Sequence, residues 1–180
     1  MKKALVMVGV AVLLILASVM PASAGHRQKG PEVPIKGTVS GEHWVDQPPG
    51  PDGWNFFSSG EGQMSHLGRV DYFLEQSSSF TPDSTVISTG TITFTAANGD
   101  TLVIAQDVES LIVGAGDGFT IRGTWTVVDG SGRFANATGC GKINAVGDIP
   151  SENTLFGLPE GTAKFDLKGK ISYNASNRSK

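Results

Sequence analysis

Apolar and polar residues alternate along several short segments of this chain. In residues 91–96, TITFTA, apolar residues take every second position and threonines take the others. Residues 119–127 and 165–173 repeat the alternation, the latter with charged residues between the apolar ones. Because successive side chains of a β-strand point to opposite faces, a period of two predicts strands with one buried face. No window of about 11 residues after the first 24 shows the helical period of 3.6.

Turn signals rich in glycine separate these segments. Asn98-Gly99 lies between two apolar segments and predicts a hairpin with a type I′ turn, which needs positive φ at both central residues. Residues 129–132, DGSG, predict a second turn, and the proline-rich residues 48–53 predict a long loop.

The segments between the turns give eight predicted strands. They span residues 35–45, 55–64, 66–76, 86–97, 100–109, 118–128, 134–147 and 161–174. Eight amphipathic antiparallel strands in sequence can close into a barrel, and closure removes the unpaired edges that promote aggregation. The sequence therefore predicts an all-β fold, an eight-stranded antiparallel β-barrel.

The first residues have the three-part pattern of a secretory signal peptide. Lys2 and Lys3 precede an apolar run, and an A-x-A site ends at Ala24. The alternative is an uncleaved membrane anchor, but the apolar run is short of about 20 residues and the A-x-A site favours cleavage. We expect a signal peptide over 1–24, a flexible lead-in over 25–34, the barrel over 35–174 and a tail over 175–180. The mature protein is then secreted or periplasmic, in a bacterial host, with no membrane segment left after cleavage.

Charge and cysteine content restrict the partners. The formal net charge of −3 becomes −5 when the two leader lysines are removed, and no window forms a basic cluster. Nucleic acid is therefore excluded as an expected partner, because phosphate binding needs a basic patch. The single cysteine, Cys140, excludes an internal disulfide and is expected to be a small buried apolar residue, the alternative being a bond between chains.

A glycine motif at residues 130–135, GSGRFA, matches the dinucleotide-binding fingerprint G-x-G-x-x-A. That fingerprint binds a pyrophosphate only where a strand leads into a helix. The residues that follow, ANATGCG, are poor helix formers. We therefore interpret the motif as a hairpin turn followed by a glycine-rich strand, and we expect no nucleotide cofactor.

Three segments resemble a known family when they are taken in order. They are SHLGR at 65–69, TFTAANGD at 93–100 and DGSGRFANATG at 129–139. The set resembles small exported bacterial proteins related to the allene oxide cyclase and dirigent barrels, over about residues 35–174. The resemblance implies an eight-stranded antiparallel barrel, often oligomeric in the plant relatives, whose cavity steers cyclisation or radical coupling of hydrophobic substrates. The catalytic acids of those enzymes do not match residues of this chain, so only the fold is carried over.

The densest charged group on a predicted strand is Arg69, Asp71 and Glu75. These residues are separated by even numbers of positions, so their side chains point to the same face of the strand. Turned inward, these side chains would form a ligand-binding site for a polar group. Turned outward, they would form an ion pair or a solvated face, which is the favoured interpretation because exposed charge pairs are common. Trp125 lies on the apolar face of its strand and is a further candidate ligand-binding residue.

Aromatic residues could line a ligand cavity or simply fill the core. They are Trp44, Trp54, Phe56, Phe57, Tyr72, Phe73 and Trp125.

Other site chemistry finds little support. His43 and His66, with Glu42 or Glu61, lack the ligand spacing of zinc sites, and no nucleophile elbow is present. We therefore expect no metal, no cofactor and no recognisable catalytic group. The leading hypothesis is non-catalytic binding of a small hydrophobic ligand or a partner protein, in a chain that could form a homo-oligomer. The alternative is an isomerase or cyclase, which would need an ionisable group inside an apolar cavity.

Overall fold

Eight antiparallel strands form a closed barrel. The computed structural model describes residues 30–47, 49–50, 52–83, 85–114, 118–149 and 161–174. The predicted signal peptide, the first half of the predicted lead-in (25–29) and the predicted tail lie outside these residues. Every strand pairs with its neighbours in sequence, and the last strand pairs with the first. The predicted fold class is confirmed.

The eight strands correspond one to one to the predicted ones, although the third and the fifth end four and five residues later than predicted. They are β1 (Val33–Val45), β2 (Trp54–Met64), β3 (Gly68–Phe80), β4 (Val86–Ala96), β5 (Thr101–Gly114), β6 (Gly118–Gly130), β7 (Thr138–Gly147) and β8 (Gly161–Ser172). Among the residues described, no helix is long and apolar enough to cross a membrane.

Alternation along each strand separates the lumen of the barrel from its outer face. In β3, Val70, Tyr72 and Leu74 are buried, and the residues between them are exposed. The same period-two burial recurs in the other strands, which bury one side chain and expose the next. The core of the protein is therefore the lumen itself, and Ile92, Phe94, Ile143 and others in it are fully buried.

Two glycines make room for a tryptophan inside the lumen. Trp125 on β6 is 2% exposed, and its indole N–H donates to the carbonyl oxygen of Lys142 at 3.0 Å. A Cβ atom placed on Gly141 or on Gly169 would lie 2.5 Å from the Trp125 ring. Any larger residue at either position would displace the indole, so the size of Trp125 requires both glycines.

Substitution of Gly141 by alanine is expected to destabilise the barrel, because its Cβ also meets the Lys168 carbonyl oxygen at 2.1 Å. We expect Gly141→Ala to lower the free energy of unfolding by about 1–3 kcal/mol, the usual cost of overpacking. The matched control is Cys140→Ala, one residue earlier and exposed, which should change it by less than about 0.5 kcal/mol. Urea unfolding measures both, and equal effects would contradict this account of the lumen.

The exposed position of Cys140 corrects the prediction that its side chain is buried. The reason is that successive side chains of β7 point alternately inward and outward. Gly139 and Gly141 take the inward positions beside it, where Trp125 and neighbouring backbone occupy the space. The thiol consequently points to the outer face.

The hairpin predicted at Asn98-Gly99 is confirmed, but its predicted turn type is wrong. Gly99 has φ of 85°, whereas Asn98 does not have a positive φ. The amide of Gly99 donates to the carbonyl oxygen of Ala96, and the amide of Ala96 donates to that of Asp100. This is a three-residue loop with one left-handed glycine, the arrangement that follows a type I turn.

The contribution of the positive φ of Gly99 to stability can be tested without a steric clash, because no heavy atom lies within 4 Å of a Cβ built on this residue. Gly99→Ala should cost about 1–2 kcal/mol of stability through the left-handed backbone alone. Gly99→Asn should cost less, since asparagine enters this region more readily. Equal losses in thermal or urea unfolding would show that the backbone conformation is not the cause.

The connection after β6 confirms the turn predicted at DGSG and corrects the strand predicted after it. Residues Gly132–Phe134 form a single 3-10 turn, so no α-helix follows the glycine motif. β7 begins at Thr138 instead of residue 134. Phe134 turns inward, is fully buried and packs on Tyr173, with ring centroids 4.9 Å apart. Asn136, with φ of 72°, then redirects the chain into β7.

Candidate functional site

A cavity of about 60 Å³, lined mostly by buried side chains, lies at one end of the barrel. We call this end the upper end; β1 and β3 end there, and β2 and β4 begin there. At the lower end, Leu67 and Phe134 from the connecting turns are buried. The cavity is lined by His43, Val45, Pro49, Trp54, Phe56, Gln76, Ser78, Val86, Ser88, Ser110, Phe119, Ile121 and Ile149.

The two sides of the cavity differ in chemistry. Strands β3, β4 and β5 contribute Gln76, Ser78, Ser88 and Ser110, which are all buried polar residues. Strands β1, β2 and β6 contribute mainly aromatic and aliphatic side chains to the opposite side. A mostly apolar pocket with a few converging polar groups is typical of small-molecule sites.

His43 lies on the aromatic side and is the most strongly constrained polar residue of the cavity. It is 2% exposed, and its ring stacks on Phe56 with centroids 5.1 Å apart and meets Phe119 edge-on at 5.2 Å. Its Nε2 lies 3.0 Å from the carbonyl oxygen of Asp148. Its Nδ1 is buried and has no hydrogen-bond partner among the described residues.

The polar side of the cavity is held by hydrogen bonds between its own side chains. The hydroxyls of Ser78 and Ser88 lie 2.8 Å apart, and the amide of Gln106 donates to the side-chain oxygen of Gln76. The side-chain oxygen of Gln106 has no partner within the described part of the chain. These contacts hold Gln76, Ser78 and Ser88 in place, so this part of the polar side is preorganised.

Burial sets the protonation state of His43. Loss of solvent lowers the pKa of its imidazole from the ordinary 6.5, and the hydrogen bond and charge of Asp148 oppose this only in part. The ring is therefore neutral at neutral pH. The pKa of the Asp148 carboxyl is also lowered, chiefly because the amide of Thr162 donates to it.

The lowered pKa makes stability depend on pH. Below about pH 6.5 the unfolded chain binds a proton at His43 that the folded barrel resists, so stability is lost as the pH falls through this value. We expect the thermal midpoint of the wild type to drop between about pH 7 and pH 5. His43→Phe, which keeps a ring between Phe56 and Phe119, should show a smaller drop. Equal pH slopes in thermal unfolding followed by circular dichroism would contradict a buried neutral His43.

The predicted charged group does not reach the cavity. Arg69, Asp71 and Glu75 are all exposed on the outer face of β3, because Val70, Tyr72 and Leu74 occupy the inward positions. Arg69 forms an exposed ion pair with Glu61 of β2 rather than with Asp71. The placement agrees with the solvated interpretation, and the ligand-binding role given to these three residues stays a prediction.

Trp125 does point into the lumen, as its strand pattern predicts, but it does not belong to the cavity. Its ring fills the space beside Gly141 and Gly169, and it is not among the side chains that line the upper end. Trp54, which is 7% exposed, is the tryptophan of the cavity lining. A ligand-binding role for Trp125 remains a prediction, and Trp54 is the better-placed fluorescent reporter.

Three of the predicted aromatic residues lie outside the barrel. Trp44 and Phe57 are directly paired across β1 and β2 on the outer face, and their rings stack with centroids 5.7 Å apart. Phe73 of β3 joins them at 6.4 Å from each ring and is 45% exposed. Their parity opposes that of His43, Phe56 and the other inward residues, so they neither line the cavity nor fill the core.

The two histidines considered as metal ligands lie apart. His66 sits in the turn between β2 and β3, with its Nε2 2.9 Å from the carbonyl oxygen of Pro34, whereas His43 is at the upper end. Within the described part of the chain, no three His, Cys, Asp or Glu side chains come together as a metal-binding group.

Larger depressions exist on the outer surface, but their chemistry is that of a solvated face. One of about 470 Å³ is lined by exposed residues such as Asp52, Asp107 and Glu109, and one of about 420 Å³ lies beside Lys36 and Lys168. The first shares Trp54, Ser78 and Ser88 with the upper cavity, but the rest of its lining lacks the ring of buried aromatic and aliphatic side chains found there. We therefore take the upper cavity as the candidate functional site.

Comparison with known proteins gives a likeness of fold. No family model matches the chain, and no curated protein matches it in sequence. Among solved structures, the barrel is similar to that of the pterocarpan synthase dirigent protein GePTS1, at 13% sequence identity and a TM-score of 0.45. The match covers 84% of this chain and 90% of that chain. The likeness is to a dirigent-type barrel and concerns the fold alone; the predicted relation to allene oxide cyclase stays a prediction.

Proposed function

We propose that this protein binds a small, mostly apolar molecule in the upper cavity of its barrel, without catalysing a reaction. The observation that supports the proposal is a cavity lined by buried side chains, with aromatic rings on one side and serine and glutamine groups on the other. The first would cover the apolar body of a ligand, and the second would orient its polar edge. A cyclase would need an ionisable group inside the cavity, whereas Asp71 and Glu75 of the charged group on β3 lie on the outer face and would not reach such a ligand.

The size of the cavity restricts the ligand. An engineered apolar cavity of about 150 Å³ binds benzene. At about 60 Å³, the upper cavity favours the smallest ring compounds as first probes. Furan and pyrrole are suitable, since each is a flat ring of five non-hydrogen atoms.

Filling the cavity should abolish binding. Ser110 lines the cavity, is 8% exposed and lies on β5 beside Glu109, which points outward. We expect Ser110→Leu to weaken furan binding by about tenfold or more, because the larger side chain occupies the ligand's space. The matched control, Glu109→Leu, makes the same residue one position away on the outer face and should leave binding unchanged.

Nuclear magnetic resonance titration is the measurement. Amide signals of cavity residues such as Ser88 and Ile121 should shift with furan in the wild type and in Glu109→Leu, but not in Ser110→Leu. Shifts confined to outer-face residues, or equal binding by both variants, would overturn the proposal.

We also propose that the protein acts outside the cytoplasm, as a secreted or periplasmic protein. The support is the charged, apolar and A-x-A pattern of residues 1–24. Mass spectrometry of exported protein should find Gly25 as the first residue, and an intact Met1 would contradict cleavage.

A further inference from the structure

Three lysines form one row across the outer face of the barrel. Lys36 of β1 pairs directly with Lys168 of β8, and Lys168 pairs directly with Lys142 of β7. All three side chains are exposed, and neighbouring strands lie about 4.8 Å apart, so the three positive charges are close together. We call these three residues the lysine row. Its members are far apart in sequence, so the sequence alone shows no such cluster.

The lysine row does not stabilise the barrel by itself. Like charges directly opposite one another on neighbouring strands repel and destabilise a sheet. None of the three lysines forms an ion pair with a described residue, since the ion pairs of the described part of the chain involve Arg69 and Arg133. The formal net charge of the chain is −3, so a general excess of positive charge does not account for the row. An anion bound across the row would remove the repulsion.

A second row of polar side chains runs beside the lysines. Gln63, Thr38 and Asp166 pair in this order across β2, β1 and β8, and Asn144 of β7 pairs with Asp166. The hydroxyl of Thr38 donates to the Asp166 carboxylate at 2.6 Å, which orients the carboxylate. A carboxylate has about four acceptor sites, so Asp166 can accept further hydrogen bonds, and the two amides can both donate and accept.

The two rows border an open depression of about 420 Å³ on the outer face. Its lining includes the exposed side chains of Lys36, Thr38, Gln63, Asp166 and Lys168. Ligand sites commonly have volumes of about 300–1,000 Å³. Because this depression is open and these side chains are exposed, it suits a ligand that keeps much of its water, unlike the upper cavity.

We infer that this face of the barrel binds an acidic oligosaccharide, a short chain of uronic acid units. Each unit carries a carboxylate, which is ionised at neutral pH and lies against the lysine row. Each unit also carries hydroxyl groups, which donate to Asp166 and exchange hydrogen bonds with Gln63 and Asn144. A polyphosphate has the charge without the hydroxyl donors, and the Asp166 carboxylate repels it. The inference goes beyond the proposed function and does not depend on binding in the upper cavity.

Three probes separate recognition of charge from recognition of hydroxyl groups. Trigalacturonate carries both carboxylates and hydroxyls, galactotriose carries hydroxyls without charge, and tripolyphosphate carries charge without sugar hydroxyls. Isothermal titration calorimetry at an ionic strength of about 0.15 M measures each affinity for the full chain. We expect trigalacturonate to bind about tenfold more tightly than either of the other probes, because only it uses both rows.

Removal of the central lysine tests the lysine row. Lys168→Gln should weaken trigalacturonate binding by about fivefold, the usual upper effect of one exposed charge pair. The matched control is Lys164→Gln, which removes the same charge from the same exposed face of β8. Four residues of strand separate the two positions by about 13 Å, which exceeds the Debye length of about 8 Å, so the control should change binding by less than about twofold.

Removal of the acidic acceptor tests the second row. Asp166→Ala should strengthen tripolyphosphate binding, because a negative charge beside the lysines is lost. It should not strengthen trigalacturonate binding to the same extent, because the hydroxyl acceptor is lost as well. The ratio of the two affinities, measured on one protein sample, should therefore fall by about fivefold.

Each part of the inference has an outcome that contradicts it. Tripolyphosphate binding as tight as that of trigalacturonate, or an unchanged affinity ratio in Asp166→Ala, would overturn the assignment of a sugar ligand. Galactotriose binding as tight as that of trigalacturonate, or equal losses in Lys168→Gln and Lys164→Gln, would overturn the role of the lysine row. A folded wild type that does not bind trigalacturonate would overturn the whole inference, and binding in the upper cavity would be unaffected.

Discussion

Closure of the sheet is the constraint on which the other features depend. Once β8 pairs with β1, every strand must turn alternate side chains into one narrow lumen. The inward residues of all eight strands then share a fixed volume, so a large side chain on one strand requires small ones opposite. Trp125 on β6 shows this most directly, because its indole lies where Gly141 and Gly169 have no side chain.

The lumen is filled unevenly along its length, and this unevenness creates the site. Below the middle, large apolar side chains such as Phe94 and Phe165 are fully buried, and the hydroxyl of Tyr72 is satisfied by Ser58 at 2.8 Å. Toward the upper end, short serines replace them on three strands and leave a cavity. His43 borders that space on the aromatic side, and its buried Nδ1 has no partner among the described residues.

The larger part of the fold could be predicted from the sequence, because it depends on local patterns. The alternation of apolar and polar residues predicts both ends of β2 and of β4 to within one residue. β7 started later than predicted because Phe134 is used to close the lower end, and that role depends on contacts with a residue distant in sequence, Tyr173. The type of turn at Asn98 also depends on the register between β4 and β5, which the two turn residues alone do not specify.

The candidate site could be predicted only in part. Val70, Tyr72 and Leu74 alternate with the charged residues of β3, and this alternation indicates that the charged side chains face outward. The same alternation in β1 places His43 on the inward face with Val45. The cavity itself could not be predicted, since its volume results from side chains of several strands in three dimensions. The position of the His43 ring also depends on the contact between its Nε2 and the carbonyl oxygen of Asp148, which is 105 residues away in sequence.

Xenon binding in crystals tests the uneven filling of the barrel most directly. Xenon enters empty apolar cavities without needing a specific partner. The account predicts xenon density at the upper end, beside Phe56 and Phe119, and none around Trp125. Xenon density beside Trp125, or a barrel with no xenon at the upper end, would contradict it.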